Sequence, residues 1–256
     1  MLAHRYQIWP KSWGRELDPE DDKEKRYVGV TVLAKRDRHS PFEVFNELLA
    51  MRLGQLAGLP VATGLVVERD GNPYFASCHL LAAGGELPAA DFDRFATDKP
   101  HEACGVTVFD AWIANTDRHG KNMWYDYYGG EFFLLDHGRS LLGGSGRVHL
   151  LSQDRQLGIR LDEPCLAPHI RSFSGFAWWY EAICAISPNS IRAAALEASR
   201  VGIEQDLAIE CASWLLKRRH SLPALFRSNI GVFPHAAPTL HDPFGAFDDF
   251  LPEWCI

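Results

Sequence analysis

Residues 115–122 read N-T-D-R-H-G-K-N, and residues 132–138 read F-F-L-L-D-H-G, in which four apolar residues lead to an acidic residue, Asp136. Phosphoryl transfer asks little covalent chemistry of a protein, but it requires a positioned acceptor and divalent cations that neutralise the phosphates. A loop carboxylate such as Asp117 can orient and deprotonate an acceptor hydroxyl. Asn122 and Asp136 offer the hard oxygen ligands that magnesium prefers. This stretch therefore predicts a phosphoryl-transfer site.

A strand pair is predicted between the two motifs. Met123 to Tyr127 and Glu131 to Leu135 have strand character, and Gly129-Gly130 supplies the turn. We expect this tight hairpin to bring Asn122 and Asp136 side by side.

Upstream of the motifs, the sequence predicts short strands around one well-marked helix. Ser40-Pro41 supplies a cap and a first helical residue, apolar residues recur at helical spacing from Phe42 to Leu56, and Gly58 ends the pattern. The strands and turn expected around this helix are Ala3 to Trp9, Tyr27 to Lys35, Val61 to Glu68, the Asp70-Gly71 turn, and Pro73 to Leu81.

The remainder of the chain is predicted to be mainly helical. Glu102 to Ala114, Ser190 to Val201 and Glu204 to Arg219 carry the clearest helical patterns, and the tail after Arg227 is expected to pack irregularly. The sequence Ala82-Ala83-Gly84-Gly85 is interpreted as a flexible break.

The two motifs resemble those of HipA-like kinases, bacterial relatives of protein kinases and phosphoinositide kinases. The family loop reads D-R-H-x-x-N, which residues 117–122 match, and a strand then leads to Asp136-His137-Gly138. The resemblance implies that Asp117 is the catalytic base and that Asn122 and Asp136 bind magnesium. His119 belongs to the same catalytic loop, which it is expected to orient. His137 stands where protein kinases most often have an aromatic residue.

The resemblance extends upstream and covers roughly residues 27 to 142. It implies that Lys35, at the end of V-L-A-K, binds the nucleotide phosphates and that Glu47 orients this lysine. Either residue can also be explained as a solvated charge, because Lys35 ends a strand and Glu47 lies off the apolar stripe of its helix. The hinge at His79 to Ala83 is expected to bind adenine, through His79, Leu80 and Leu81.

The fold that the resemblance implies is α+β, a protein-kinase-like fold with two lobes. Residues 1–82 would form a small β-rich nucleotide-binding lobe, and residues 83–256 a larger, mainly helical catalytic lobe. The implied cofactors are ATP and magnesium, and the implied partner is a protein that presents a Ser or Thr hydroxyl. Small-molecule and lipid headgroup hydroxyls fit the same residues.

One departure from the family pattern leaves other functions open. The first loop holds only Gly14 and an acidic run at residues 18–25, although phosphate-covering loops need glycines for close backbone approach. A pseudokinase that binds or regulates a partner, or a kinase-fold enzyme that transfers AMP, remains an alternative to the active kinase.

Composition and net charge narrow the possible partners and the cellular compartment of the protein. The net charge of -7 argues against general nucleic-acid binding, since phosphate-tracking surfaces need excess Lys and Arg. The six cysteines are scattered, which is typical of small buried side chains in a reducing compartment. No apolar run approaches the length of a membrane helix. We therefore expect a cytoplasmic protein without a membrane partner.

Overall fold

The computed structural model describes residues 6–7, 10–16, 26–30, 32–36, 42–78, 81–82, 85–86, 89–143 and 165–236. Helices and small antiparallel sheets both occur, so the expected α+β class is confirmed. The division into two lobes at residue 82 stays a prediction. Within the described ranges, none of the helices has the length and apolar character needed to cross a membrane.

The strands of the described residues are short. They are β1 (Tyr6–Gln7), β2 (Pro10–Glu16), β3 (Arg26–Val30), β4 (Val32–Lys35), β5 (Gly64–Arg69), β6 (Asn72–Cys78), β7 (Leu81–Ala82), β8 (Gly85–Glu86), β9 (Met123–Tyr125) and β10 (Phe132–Leu134). The helices are α1 (Phe42–Ala57), α2 (Phe92–Asp98), α3 (Pro100–Trp112), α4 (Phe176–Ala185), α5 (Pro188–Ser199) and α6 (Gln205–Ser228).

The N-terminal strands differ from the prediction. The prediction of a single strand from Tyr27 to Lys35 is wrong. Strand β3 pairs with β2, whereas β4 pairs with β6 in a different sheet. Strand β2 was not predicted, since Pro10, Lys11 and Gly14 have weak strand propensity; the ladder with β3 supplies its order. Gly14 therefore lies in a strand, and the acidic run at 18–25 lies outside the described residues.

The sheet β4-β6-β5 presents one face to the region of the site. Its register pairs Leu33 with Ser77 and Lys35 with Phe75. Because side chains alternate along a strand, these four residues share a face. The predicted hairpin between β5 and β6 is confirmed, with Asp70-Gly71 at positive φ as its turn.

Helix α1 confirms the helical prediction and supplies much of the core. Phe45, Leu49 and Leu53 are fully buried, and Gly58, at a φ of +82°, ends the helix. Leu56, the last member of the predicted stripe, is 47% exposed. The cap predicted at Ser40-Pro41 lies outside the described residues. Since the helix is buried on most sides, its polar side chains must find partners inside the protein.

Helix α3 and the β9–β10 hairpin position the two motifs at 115–122 and 132–138. Helix α3 begins two residues earlier than expected and ends before Ala114, and the short helix α2 that precedes it was not predicted. The β9–β10 hairpin is confirmed, with Phe133 opposite Trp124. The expected flexible break contains a paired segment instead, because β7 and β8 form an antiparallel ladder.

The C-terminal helices confirm the expected helical region. Helix α6 extends past the predicted Arg219 to Ser228 and contains Pro223. Phe233 follows it and packs edge-on against Phe173 and Phe176, so the first part of the tail joins the core.

Three described cysteines are buried, as the sequence predicts. Burial raises the pKa of the Cys104 and Cys211 thiols to about 12 and that of Cys165 to about 11. Because the thiolate is the nucleophile, we expect iodoacetamide at pH 8 to alkylate these residues far more slowly in the folded protein than in guanidinium. Peptide mass spectrometry measures both rates. Equal rates in the two states would contradict the burial.

Candidate active site

One buried guanidinium organises the loop that follows α3. Arg118 is 4% exposed and forms a two-pronged ion pair with Asp110, with Nε–Oδ2 and Nη2–Oδ1 distances of 2.9 and 3.0 Å. Its Nη1 donates to the carbonyl oxygens of Asn122 and Leu135, and its Nη2 also contacts His137 Nε2 at 2.8 Å. All five N–H groups of Arg118 thus have acceptors. The guanidinium ties α3, the loop and the end of β10 together.

Asp110, which sequence reasoning missed, extends this network to Asp117. Its carboxylate also accepts a hydrogen bond from Asn115 Nδ2 at 2.9 Å, and Asn115 Oδ1 accepts one from the Asp117 backbone N–H at 3.2 Å. The signal was present in the sequence, because Asp110 is the one charged residue in the apolar run 103–112. A charge on such a helix face needs a buried partner.

His137 is buried against an aromatic ring and is neutral. Burial, followed by the positive charges of Arg118 and Lys35, lowers the pKa of His137 well below its ordinary value. Because an arginine can only donate, His137 Nε2 accepts and the ring proton lies on Nδ1, 3.9 Å from Glu47 Oε2. The ring packs edge-on against Phe109, so His137 is part of the core, and its Nε2 contacts Arg118.

Lys35 joins two carboxylates from distant parts of the chain. Its Nζ forms ion pairs with Glu47 Oε1 and, at 2.8 Å, with Asp136 Oδ1. Glu47 is 2% exposed, so the interpretation of this residue as a solvated surface charge is wrong. The structure therefore brings together three residues that the sequence singled out separately.

The charges of this cluster follow from burial and proximity. Burial raises the pKa of Glu47 to about 6 although Lys35 opposes the shift. For Lys35, burial lowers the pKa, but the charges of Glu47 and Asp136 outweigh it and the pKa lies above its ordinary value. Burial also disfavours the Asp136 carboxylate, but Lys35 outweighs it and holds that pKa below its ordinary value. At neutral pH the cluster carries an excess of one negative charge, which favours a cation nearby.

The backbone after β10 is shaped to place Asp136 against this cluster. Asp136 adopts a positive φ of 52°, a region that Asp tolerates better than most residues. Gly138 then passes close to α1: a Cβ on Gly138 would lie 2.6 Å from Glu43 Cγ. A side chain at position 138 would therefore require the Glu43 side chain or the backbone to shift.

The side-chain amide of Asn46, which is buried on α1 and was not predicted from the sequence as a site residue, holds the segment 138–143 that follows Asp136. Asn46 is fully buried; its Nδ2 donates to the carbonyl oxygens of Gly138 and Gly143 at 2.8 and 3.3 Å. Its Oδ1 accepts a hydrogen bond from Leu142 N–H at 3.2 Å. Two neighbouring residues of one helix thus contact the site: Asn46 holds the segment 138–143, and Glu47 pairs with Lys35.

Asn122 stands beside Asp136, as the predicted hairpin requires. Its carbonyl oxygen accepts a hydrogen bond from Leu135 N–H at 2.9 Å, directly before Asp136. Its Nδ2 donates to the Asp117 carbonyl oxygen at 2.7 Å, which leaves Oδ1 as the side-chain atom available to a cation. Asn122 Oδ1 and the Asp136 carboxylate are hard oxygen donors, so they fit magnesium with water and phosphate oxygens as its other ligands.

Asp117 lies at the edge of this arrangement. Its side chain is 17% exposed, with Oδ2 3.6 Å from Arg139 Nε and Oδ1 4.0 Å from His119 Nε2. The backbone of Asp117 is held on both sides, by Asn115 and Asn122. The carboxylate is therefore positioned and still accessible from solvent.

A cleft of about 180 Å³ gathers the charged cluster and the metal-binding candidates. The residues that line it are Leu33, Lys35, Glu47, Val61, Ala62, Phe75, Ser77, Lys121, Asn122, Trp124, Leu134, Leu135, Asp136 and His137. Asp117 and His119 are not among them. Lys121 and Trp124 were not predicted as cleft residues.

The predicted adenine-binding hinge is only partly described. His79 and Leu80 lie outside the described residues, and the backbone of Leu81 pairs with Gln7 in the β7–β1 ladder. Their assignment to the base stays a prediction.

Removal of the Arg118 charge tests its role in the network. Arg118→Met leaves Asp110 as a buried carboxylate without its ion-pair partner, and breaking a buried pair in this way costs about 3–5 kcal/mol. We expect the free energy of unfolding in urea to fall by that amount. Arg69→Met is the matched control, because the Arg69–Asp70 pair is exposed and such pairs contribute about 0–1 kcal/mol. Equal losses in the two variants would contradict the role of Arg118.

The structural similarity of this chain to known proteins is weak. No family model and no curated protein matches the sequence. Among solved structures, the chain is similar to HipA from the Shewanella oneidensis MR-1 toxin–antitoxin complex of HipA, HipB and operator DNA. The identity is 14% and the TM-score 0.36, and the match covers 92% of this chain and 66% of that one. This similarity is too low to indicate a shared function.

Proposed function

We propose that the chain is an ATP- and magnesium-dependent phosphotransferase that transfers the γ-phosphate to the hydroxyl of a Ser or Thr in a protein. The observation that carries the proposal is the position of Lys35 between Glu47 and Asp136, in a cleft that Asn122 also lines. A half-buried lysine held charged by two carboxylates is preorganised to bind phosphate oxygens.

The residues in and around the cleft have different roles in binding. Lys35 contacts the phosphates, and Glu47 fixes the direction of the lysine side chain from the buried face of α1. Asn122 Oδ1 and the Asp136 carboxylate hold magnesium, which neutralises phosphate charge when bound. Arg118 keeps these two ligands in register, because it bonds the carbonyl oxygens of Asn122 and Leu135.

Asp117 acts as the general base for the acceptor hydroxyl. In the transfer, the acceptor oxygen bonds to the γ-phosphorus, the bond from that phosphorus to the leaving ADP oxygen breaks, and the hydroxyl proton passes to Asp117. The partly exposed Asp117 carboxylate suits an acceptor that arrives from solvent. His119 Nε2 lies 4.0 Å from Asp117 Oδ1, which is longer than a hydrogen bond.

The class of acceptor rests on the motif resemblance. HipA-like kinases, whose D-R-H-x-x-N loop residues 117–122 match, imply a protein Ser or Thr. The site geometry itself requires only a hydroxyl that can reach Asp117.

Isosteric variants separate the two carboxylate roles. We expect Asp117→Asn to lower kcat for phosphate transfer about 10²–10⁴-fold, the typical contribution of a general base, with the Kd for ATP unchanged. Asp136→Asn should abolish the magnesium dependence of ATP binding, because it removes a charged metal ligand. Calorimetry measures binding, and mass spectrometry measures phosphate added to the protein or to a lysate protein.

Asp70→Asn is the matched control, since Asp70 lies in an exposed turn away from the cleft. It should match wild type in both assays. A wild type that binds no nucleotide, or an Asp117→Asn variant that transfers phosphate at the wild-type rate, would contradict the active kinase. ATP binding without transfer would indicate a regulatory binding module, and an AMP adduct would indicate nucleotidyl transfer.

A further inference from the structure

Arg139 is an exposed cation beside the proposed base. Its side chain is 75% exposed, and its Nε lies 3.6 Å from Asp117 Oδ2. This separation is an ion-pair distance and is too long for a hydrogen bond. Ion pairs with an exposed partner contribute little to stability, so the guanidinium can exchange Asp117 for another anion with little loss of free energy.

The backbone of Arg139 is fixed although its head group is exposed. The carbonyl oxygen of the preceding Gly138 accepts a hydrogen bond from the buried Asn46 side chain at 2.8 Å. The following residue, Ser140, is buried, and its N–H and hydroxyl both donate to the His137 carbonyl oxygen, at 3.0 and 2.6 Å. Two buried neighbours therefore fix the point from which the side chain of Arg139 extends, and its rotatable bonds allow the guanidinium to move around that point.

Three further cations near the site have other partners or positions. Arg118 is buried, and its N–H groups have acceptors within the protein. Lys35 and Lys121 line the cleft, where the phosphates bind in the proposed function. Arg139, like Asp117, lies outside the residues that line the cleft, so its charge is available to the acceptor rather than to the nucleotide.

The ion pair of Arg139 also obstructs the base. A hydroxyl that gives its proton to Asp117 must approach a carboxylate oxygen to within hydrogen-bonding distance. Oδ2 of Asp117 faces the guanidinium of Arg139, and Oδ1 lies 4.0 Å from His119 Nε2. An anionic group beside the acceptor hydroxyl would draw the guanidinium away from Oδ2, because the planar arginine fork matches the geometry of a carboxylate. Binding of such an acceptor would thus free the base.

We propose that Arg139 selects protein acceptors that carry an acidic side chain next to the Ser or Thr. The guanidinium leaves Asp117 and pairs with the carboxylate of the acceptor, and the hydroxyl then occupies the vacated side of Asp117 Oδ2. A basic side chain at the same place is repelled by Arg139. The inference rests on the proposed function, because it assumes that Asp117 is the general base.

Three synthetic peptides of equal length, each with one Ser flanked on both sides by Glu, by Ala or by Lys, test this selection. Mass spectrometry measures kcat/KM for transfer from magnesium ATP by wild type, Arg139→Gln and Arg139→Glu. We expect wild type to prefer the Glu peptide and Arg139→Gln to lower the Glu-to-Ala ratio of kcat/KM about 10- to 150-fold, the equivalent of one hydrogen bond to a charged group. Arg139→Glu should prefer the Lys peptide. The Kd for ATP should stay at the wild-type value in both variants, which a general disruption of the site would not allow.

Arg69 supplies the matched control, because its side chain is 81% exposed and its Nε lies 3.5 Å from Asp70 Oδ2. Arg69→Gln and Arg69→Glu should keep the wild-type peptide preference, and circular dichroism checks that every variant is folded. The inference is wrong, while the proposed function stands, if an active wild type does not prefer the Glu peptide or if folded Arg139→Gln keeps the wild-type ratio. Transfer by wild type to lysate proteins but not to the Glu peptide leads to the same conclusion. If wild type transfers phosphate to no acceptor, the proposed function is wrong and the inference falls with it.

Discussion

The buried ion pair between Arg118 and Asp110 is the interaction on which the site depends. Each of these ions loses several kcal/mol of hydration on burial, and only good geometry and further hydrogen bonds offset that loss. Here the guanidinium uses all five N–H groups, and the carboxylate also accepts from Asn115. The consequence is geometric: a planar, rigid fork fixes the spacing between the loop that carries Asn122 and the end of the strand that carries Asp136.

Helix α1 adds a second constraint on the site. Glu47 orients Lys35, and the adjacent Asn46 holds the segment from Gly138 to Gly143. Because both side chains come from one rigid helix, any displacement of α1 would disturb the lysine and the backbone after Asp136 together. The two buried networks, one around Arg118 and one on α1, meet at His137, whose ring lies between Arg118 and Glu47.

Local signals in the sequence predicted much of the fold and of the site, and long-range contacts explain the rest. Periodicity and turn chemistry were sufficient for α1 and for the hairpin that brings Asn122 beside Asp136. The role of Asn46 depends on Gly138, 92 residues away, and no local pattern reports such a partner. The break between β3 and β4 depends on which sheet each strand joins.

A crystal structure of the full chain with magnesium and a non-hydrolysable ATP analogue would show directly whether this cleft binds the nucleotide and the metal. We expect one metal ion with Asn122 Oδ1 and the Asp136 carboxylate at about 2.0–2.1 Å, and phosphate oxygens on Lys35 Nζ. The Arg118–Asp110 pair should be unchanged, because it supports the site without touching the ligand. An analogue bound away from the cleft, or a metal ion held without Asn122 and Asp136, would contradict the assignment of this cleft as a kinase active site.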